Sequence, residues 1–374
     1  MYQFSAPMPY SKETIDKMLD INNQVEKSKI TSLYFSLSSN CELFTGFEQY
    51  RNNTLNGNWD YWKSLITHCL KKECDIIYLL NNPSRLQIEN PNFEQKVNKL
   101  NKLLIELQKL GVNKLRIAEH KLISYIEKYY PYFDIYASTS FEFKSIAEYR
   151  NFIFMHPNVK QIVPSHDSIK NFTLLKNLKK LLPNIEIELM VNEGCIKGCP
   201  NRDGHASEIM NQKTINNNIT LSNIYYTNMF CNKINPIISM VFANNIFPWE
   251  IKEYSKIGIN NFKLVGRDAF INNIKVYLEN YLSYLKGIEN QKIIQNESIV
   301  SFIHHLSENN FLKQFTVKDY KNYMPNINYF KKHGKFCAVN CGINCVYCYK
   351  CVEKIQKTFD NIRKKVEIID FCKI

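Results

Sequence analysis

The chain has 374 residues, 45% of them hydrophobic, which suits one large domain with an appendage or two domains and excludes disorder as the default state. Its 48 Lys and Arg against 35 Asp and Glu leave a net charge of +13, which points to polyanionic partners and carries no information about fold. No stretch approaches the ~20 apolar residues of a membrane span, and MYQFSAPMPYSKETIDKM at the start lacks the basic and apolar regions of a secretory signal, so the expectation is a cytoplasmic protein with reduced thiols and no membrane partner.

Short apolar runs alternate with longer helical patterns. YQFSA (2–6) precedes a helix over SKETIDKMLDIN, for which Ser11 is the N-cap. SLYFSL (32–37) precedes a helix around WDYWKSLITHCLKK. DIIYLL (75–80) precedes NFEQKVNKLNKLLIELQKLG, apolar at three- and four-residue steps and stopped at Gly111. NKLRIA (113–118) leads to HKLISYIEKYY, FDIYAS (133–138) to EFKSIAEYRNFI, and VKQIVP (159–164) to SIKNFTLLKNLKKLL. EIELMV (186–191) runs into a cysteine-bearing loop, and NFKLVG (261–266) leads to FINNIKVYLENYLSYLKG.

About eight β-runs, mostly followed by helices, in roughly 280 residues predict an α/β fold, a parallel (β/α) TIM-like barrel with a Cys-rich C-terminal extension. No Gly-rich G-x-G-x-x-G turn follows any strand, which counts against an open doubly wound sheet. The expected boundaries are 1–290 for the barrel, with a Cys-containing insertion at about 192–236, and 291–374 for the extension. Ligands of such barrels gather at the C-terminal strand ends. Those ends carry Cys41, Asn81, Glu119, His120, Ser138, His166, Asp167, Glu193, Cys195 and Arg267.

The chain's 12 cysteines fall largely into two groups. VNEGCIKGCP offers Cys195 and Cys199, joined by Cys231 from a returning segment: ligand spacing for an iron–sulfur cluster or zinc. FCAVNCGINCVYCYKC holds Cys337, Cys341, Cys345, Cys348 and Cys351. From Cys341 the spacing is C-x3-C-x2-C-x2-C, one continuous run that suits a 4Fe-4S cluster better than the paired knuckles of a zinc site. Eight cysteines allow one cluster or two. CGINCVYC also resembles the cluster loop of radical S-adenosylmethionine enzymes, though it lies beyond the last strand rather than after the first. Cys69, Cys74 and Cys372 read as structural or surface thiols.

The order of FSAPMPYSKETIDKMLD…SLYFSL, IYASTSFEF, IEIELMVNEGCIKGCP and FKLVGRDAF over residues 1–290 resembles the collagenase-like peptidase family, peptidase family U-32. The resemblance implies a barrel with an oxygen-sensitive 4Fe-4S cluster on four cysteines, and relatives that hydroxylate tRNA or rRNA bases or quinone precursors without oxygen. It places Cys195, Cys199 and Cys231 among the ligands, with Cys41 or Cys337 as the fourth. It also places Lys263 and Arg267 on the family's Lys-x-x-Gly-Arg motif.

Proteolysis needs a nucleophile or metal-bound water with a base in reach. Neither H-E-x-x-H nor G-x-S-x-G occurs. Glu193 as a general base, Arg267 as a carboxylate or phosphate clamp and His166 are the catalytic candidates. The functional expectation is an iron–sulfur enzyme performing oxygen-independent hydroxylation of an RNA base or small aromatic. The alternatives are a metal-dependent peptidase and an RNA- or partner-binding protein with a structural or redox-sensing cluster. The corresponding partners are RNA or an anionic small molecule, together with a redox partner.

Overall fold

Each expected β-run forms a strand: β1 (Tyr2–Pro7), β2 (Ser28–Phe35), β3 (Asp75–Leu80), β4 (Lys114–Ile117), β5 (Asp134–Ala137), β6 (Val159–Ile162), β7 (Glu186–Met190) and β8 (Asn261–Lys263). All neighbours pair in parallel, in chain order, and β8 returns to β1 to close the barrel. This computed structural model describes residues 1–36, 59–81, 93–192, 196–199, 236–265, 269–290, 322–339 and 345–359.

The helices follow the strands as α1 (Lys12–Leu19), α2 (Trp59–Lys71), α3 (Phe93–Lys109), α4 (His120–Tyr129), α5 (Ile146–Met155) and α6 (Phe172–Leu181). After β7 come α7 (Pro236–Phe242) and α8 (Ile251–Ser255), and after β8 α9 (Ala269–Asn290), α10 (Ile327–Val339) and α11 (Tyr347–Phe359). Ser11 caps α1 as expected, its side chain accepting from Thr14 N. α3 gives way to Gly111 in the left-handed region at φ +86, where glycine carries no Cβ penalty.

Of the boundaries that differ from the sequence reading, four have a local cause. β2 starts at Ser28 because Ser28–Ile30 pair with Tyr2–Phe4 of β1. α5 starts at Ile146 rather than near Glu142, because Glu142 is left-handed at φ 47 and Ser145 with Glu148 forms a capping box. α6 starts at Phe172, capped by Asn171. β8 ends at Lys263, since the Asn192 side chain takes both the N–H and the C=O of Val265.

Among the described residues, buried apolar side chains of the strands fall into two clusters, one on each side of the strand layer. The large one contains Phe4, Leu33, Ile76, Leu115, Ile135, Ile187, Leu189 and Phe262 with the buried faces of the helices. The small one is Tyr34, Ile77, Leu79 and Tyr136. Successive residues of a strand face opposite ways, so the first is the strand–helix core and the second lies inside the barrel.

The C-terminal helices dock on the barrel. Phe330 of α10 joins the main core, and Cys348 packs against it. Val352 and Ile355, four and seven residues after Cys348, are fully buried. α10 packs on α6, and α11 packs on α7. Lys331 pairs with Glu253 of α8 at 2.5 Å. The buried Lys170–Glu250 pair, 2.6 Å, holds its ammonium 5.8 Å from the Phe330 ring. No helix among the described residues is long and apolar enough to cross a membrane.

Candidate functional site at the C-terminal barrel mouth

The strand ends converge where β6, β7 and their loops meet. His166 and Asp167 stand in a short 3-10 turn after β6. Asp167 Oδ1 accepts from Gly198 N at 2.9 Å and from Asn244 Nδ2 at 3.4 Å. The turn containing Cys199 is fastened on its other side by Lys197 N donating to Phe242 O at 3.0 Å and by an antiparallel bridge between Ile196 and Ala243. Gly198 sits at φ +65 with open space where a Cβ would be, so backbone conformation, not crowding, requires glycine there.

His166 Nδ1 lies 2.8 Å from Glu142 Oε1, with both side chains mostly buried. Glu142 is one of two non-glycine residues at positive φ among the described residues. A left-handed non-glycine residue is costly and persists where surrounding contacts enforce it. Here it aims a carboxylate at the His166 ring. The contact fixes the orientation of the His166 ring at the mouth.

The same face carries a second imidazole. His120 Nδ1 lies 2.9 Å from His156 Nε2, and His156 Nδ1 lies 3.1 Å from Glu127 Oε2. Burial, and next the neighbouring His156, pull the His120 pKa below the ordinary value.

The cysteine tail meets this mouth through α7. The Tyr349 ring of α11 stands edge-on to Phe242 at 5.2 Å, and the Phe242 carbonyl accepts from Lys197 in the Cys199 turn. Tyr329 stacks on Tyr347, ring centroids 3.7 Å apart, and its hydroxyl lies 3.2 Å from Cys345 Sγ. Cys199, Cys345, Cys348 and Cys351 are not joined in disulfides. Burial pushes the Cys351 thiol up to about 11. A thiol in such surroundings deprotonates readily only against a compensating positive charge, such as a metal ion. Soft sulfur donors of this kind fit iron–sulfur chemistry.

Among the described residues, no three His, Cys, Asp or Glu side chains are grouped to hold a metal ion. A cluster site must therefore draw on further donors. Cys41, Cys195, Cys231 and Cys341 lie outside the described residues, as do the catalytic candidates Glu193 and Arg267. Cys337 lies on α10, its side chain outside the description. Cys69 is a buried helix residue whose thiol is pushed up to about 12 by burial, as befits a small core hydrophobe.

The sequence reading passed over the inside of the barrel. Arg116 on β4 reaches across to β7, where Glu188 Oε2 lies 2.8 Å from its Nη2, an ion pair without a well-aligned hydrogen bond. The same Nη2 donates to Gln161 Oε1 on β6 at 2.6 Å. Ser5 of β1 donates to Glu188 Oε1 at 2.7 Å. Lys263 on β8 sits 4.3 Å from the Tyr34 ring on β2. These contacts join strands that are not neighbours in the sheet, which requires inward-facing side chains. The signal was present: Lys114 and Arg116, Glu186 and Glu188, Asn261 and Lys263 occupy alternate positions of strands otherwise apolar. Parallel strands covered on both faces ordinarily read as continuous apolar runs, so that alternation marks a polar interior.

No protein-family model and no curated protein sequence matches the chain. Among solved structures, a U32 peptidase, Mk0906, is similar at a TM-score of 0.45 and 9% identity, over 71% of this chain and 93% of that one. N-acetylneuraminate lyase from Fusobacterium nucleatum is similar at a TM-score of 0.36 and 11% identity, over 96% of this chain and 98% of that one. CdNal from Clostridium difficile, in complex with mannosamine, is similar at 0.35 and 10% identity with the same coverages. Similarities this distant carry no argument about chemistry. The strand order itself establishes the barrel.

Proposed function

We propose that this chain is an iron–sulfur barrel enzyme of the U-32 peptidase-like type that modifies its substrate rather than cleaving a peptide, by oxygen-independent hydroxylation of an RNA base or a small aromatic. The observation that carries this reading is the fastening of the Cys199 turn to the barrel mouth by Asp167 and Phe242, with the cysteine-bearing α11 packed on the same Phe242. The order of sequence motifs over residues 1–290 supports the family type. The net charge of +13 supports a polyanionic substrate.

Cys195, Cys199 and Cys231, with Cys41 or Cys337, would hold the barrel cluster, and Cys341, Cys345, Cys348 and Cys351 a second one. When bound, a 4Fe-4S cluster supplies one-electron redox chemistry at the mouth. The chain's own residues do the rest. Glu142 orients the His166 ring, which is assigned to proton transfer. Asp167 and Asn244 keep the Cys199 turn in place. Glu193 and Arg267, which lie outside the described residues, are assigned to proton transfer and anion binding.

Protein purified without oxygen should contain iron and acid-labile sulfide in near-equal amounts; stoichiometric zinc without iron would overturn the reading. The variant Cys345→Ala/Cys348→Ala/Cys351→Ala should lose part of the iron and keep the rest, whereas unchanged iron excludes a tail cluster.

The oriented His166–Glu142 pair also favours a second reading, a metal-dependent peptidase, because a carboxylate-held imidazole is a competent general base. Casein or gelatin degraded by the pure protein but spared by His166→Ala would place that reading first.

A further inference from the structure

We propose that the inside of the barrel is a binding chamber for a small hydroxylated anion whose carboxylate or phosphate group is held by Arg116. This stands on the barrel's own geometry and does not depend on the iron–sulfur reading.

TIM barrels are normally filled by layers of branched aliphatic side chains. Here the cross-barrel contacts are made by Ser5, Arg116, Gln161 and Glu188. Arg116 is 1% exposed, yet its Nε and Nη1 have no hydrogen-bond partner among the described residues. Its Nη2 donates to Gln161 and lies against Glu188, which leaves Nε and Nη1 as the donors for a guest. Asn81 Oδ1 and Asn245 Nδ2 are likewise buried without a hydrogen-bond partner among the described residues. Asn81 continues the inward alternation of Ile77 and Leu79 on β3. Buried polar groups of native proteins are nearly always paired, so several in one barrel call for a polar occupant.

The donor set defines its chemistry. Arg116 requires an oxyanion. Asn245 requires an acceptor, and Asn81 a donor such as a hydroxyl. Tyr34, Ile77, Leu79 and Tyr136 provide an apolar wall for a small carbon body. Among the described residues, Arg116 faces Glu188, and the Gln161 side chain to which it donates also donates to Glu186 at 3.0 Å. Asp75 with Lys114, and Asp134 and Glu186, belong to the strand starts nearer the opposite end.

Isothermal titration of the full-length protein, purified without oxygen and at matched ionic strength, would use four probes: acetate, D-glycerate, inorganic phosphate and glycerol 3-phosphate. Saturable one-site binding of D-glycerate identifies a carboxylate ligand, and that of glycerol 3-phosphate a phosphate ligand. Acetate and phosphate, lacking the hydroxyl, should bind more weakly. Arg116→Lys keeps a positive charge beside Glu188 but removes Nε and Nη1 as donors, and should weaken binding by about tenfold or more. Arg116→Met/Glu188→Met removes both charges together, leaves no unpaired ion, and should abolish binding. Iron content measured on the same samples should not change, which separates this site from the cysteines. Absence of saturable binding to all four probes overturns the proposal. So does binding that survives Arg116→Lys undiminished, since that is attraction to the basic surface.

Discussion

The two faces of the eight strands obey different rules. The outer face carries Phe4, Leu33, Ile76, Leu115, Ile135, Leu189 and Phe262 against the helices. Its stability comes from apolar area removed from water, and that term is non-directional. The inner face carries Ser5, Arg116, Gln161, Glu188 and Lys263. There each side chain is held by a particular partner on a distant strand, and losing one partner strands the other in a low-dielectric interior. The outer face tolerates exchange of one hydrophobe for another of similar volume. The inner face tolerates replacement of a whole pair better than removal of half of it.

The largest expected effect tests that asymmetry. Glu188→Ala should cost about 3–5 kcal/mol in denaturant unfolding, because Arg116 is left as an uncompensated buried charge. The Arg116→Met/Glu188→Met variant should recover most of that loss. A Glu188→Ala protein as stable as wild type would mean that water already solvates Arg116 and that the inner face is not dry. On the outer face, Leu189→Ala should cost about 2–5 kcal/mol by transfer and cavity terms, with no rescue from any single partner.

Ser145→Ala should cost roughly 0.5–2 kcal/mol, since it removes the capping box that starts α5 at Ile146. Asp167→Ala should leave global stability nearly unchanged but speed hydrogen exchange at the Gly198 amide, the donor it releases. Equal exchange in both proteins would show that Phe242 alone holds the Cys199 turn.

The smallest effect is a pH dependence. His120 titrates below its ordinary value in the fold, chiefly through burial and then through His156. The unfolded chain therefore binds more protons between the two pKa values. The contribution of His120 is fully present above about pH 6.5, the unfolded value, and is lost as pH falls through the lower folded one. His120→Gln should show a smaller fall in thermal midpoint than wild type on that acid limb.

Much of the scaffold was legible in the residues. Eight apolar runs rich in β-branched and aromatic residues, seven of them followed by a helix-period segment, left little room for another closed fold. Ser11 and Gly111 act through their own backbone or side chain, so their effects could be read locally. Glu142 could not be read that way. Its left-handed conformation and its pairing with His166, 24 residues later, depend on where β5 and β6 end. The pairing of Arg116 with Glu188 was hidden because β4 and β7 meet only across a closed barrel.

The sequence by itself determined the strand–helix alternation, its length and the concentration of thiols in two segments, because periodicity and composition are local properties of the chain. Which charges face one another, which carboxylate orients His166 and which surface receives the cysteine tail were decided by closure of the barrel and the docking of α10 and α11. Those contacts join residues dozens to hundreds of positions apart. No local pattern encodes a distance that exists only after β8 has returned to β1.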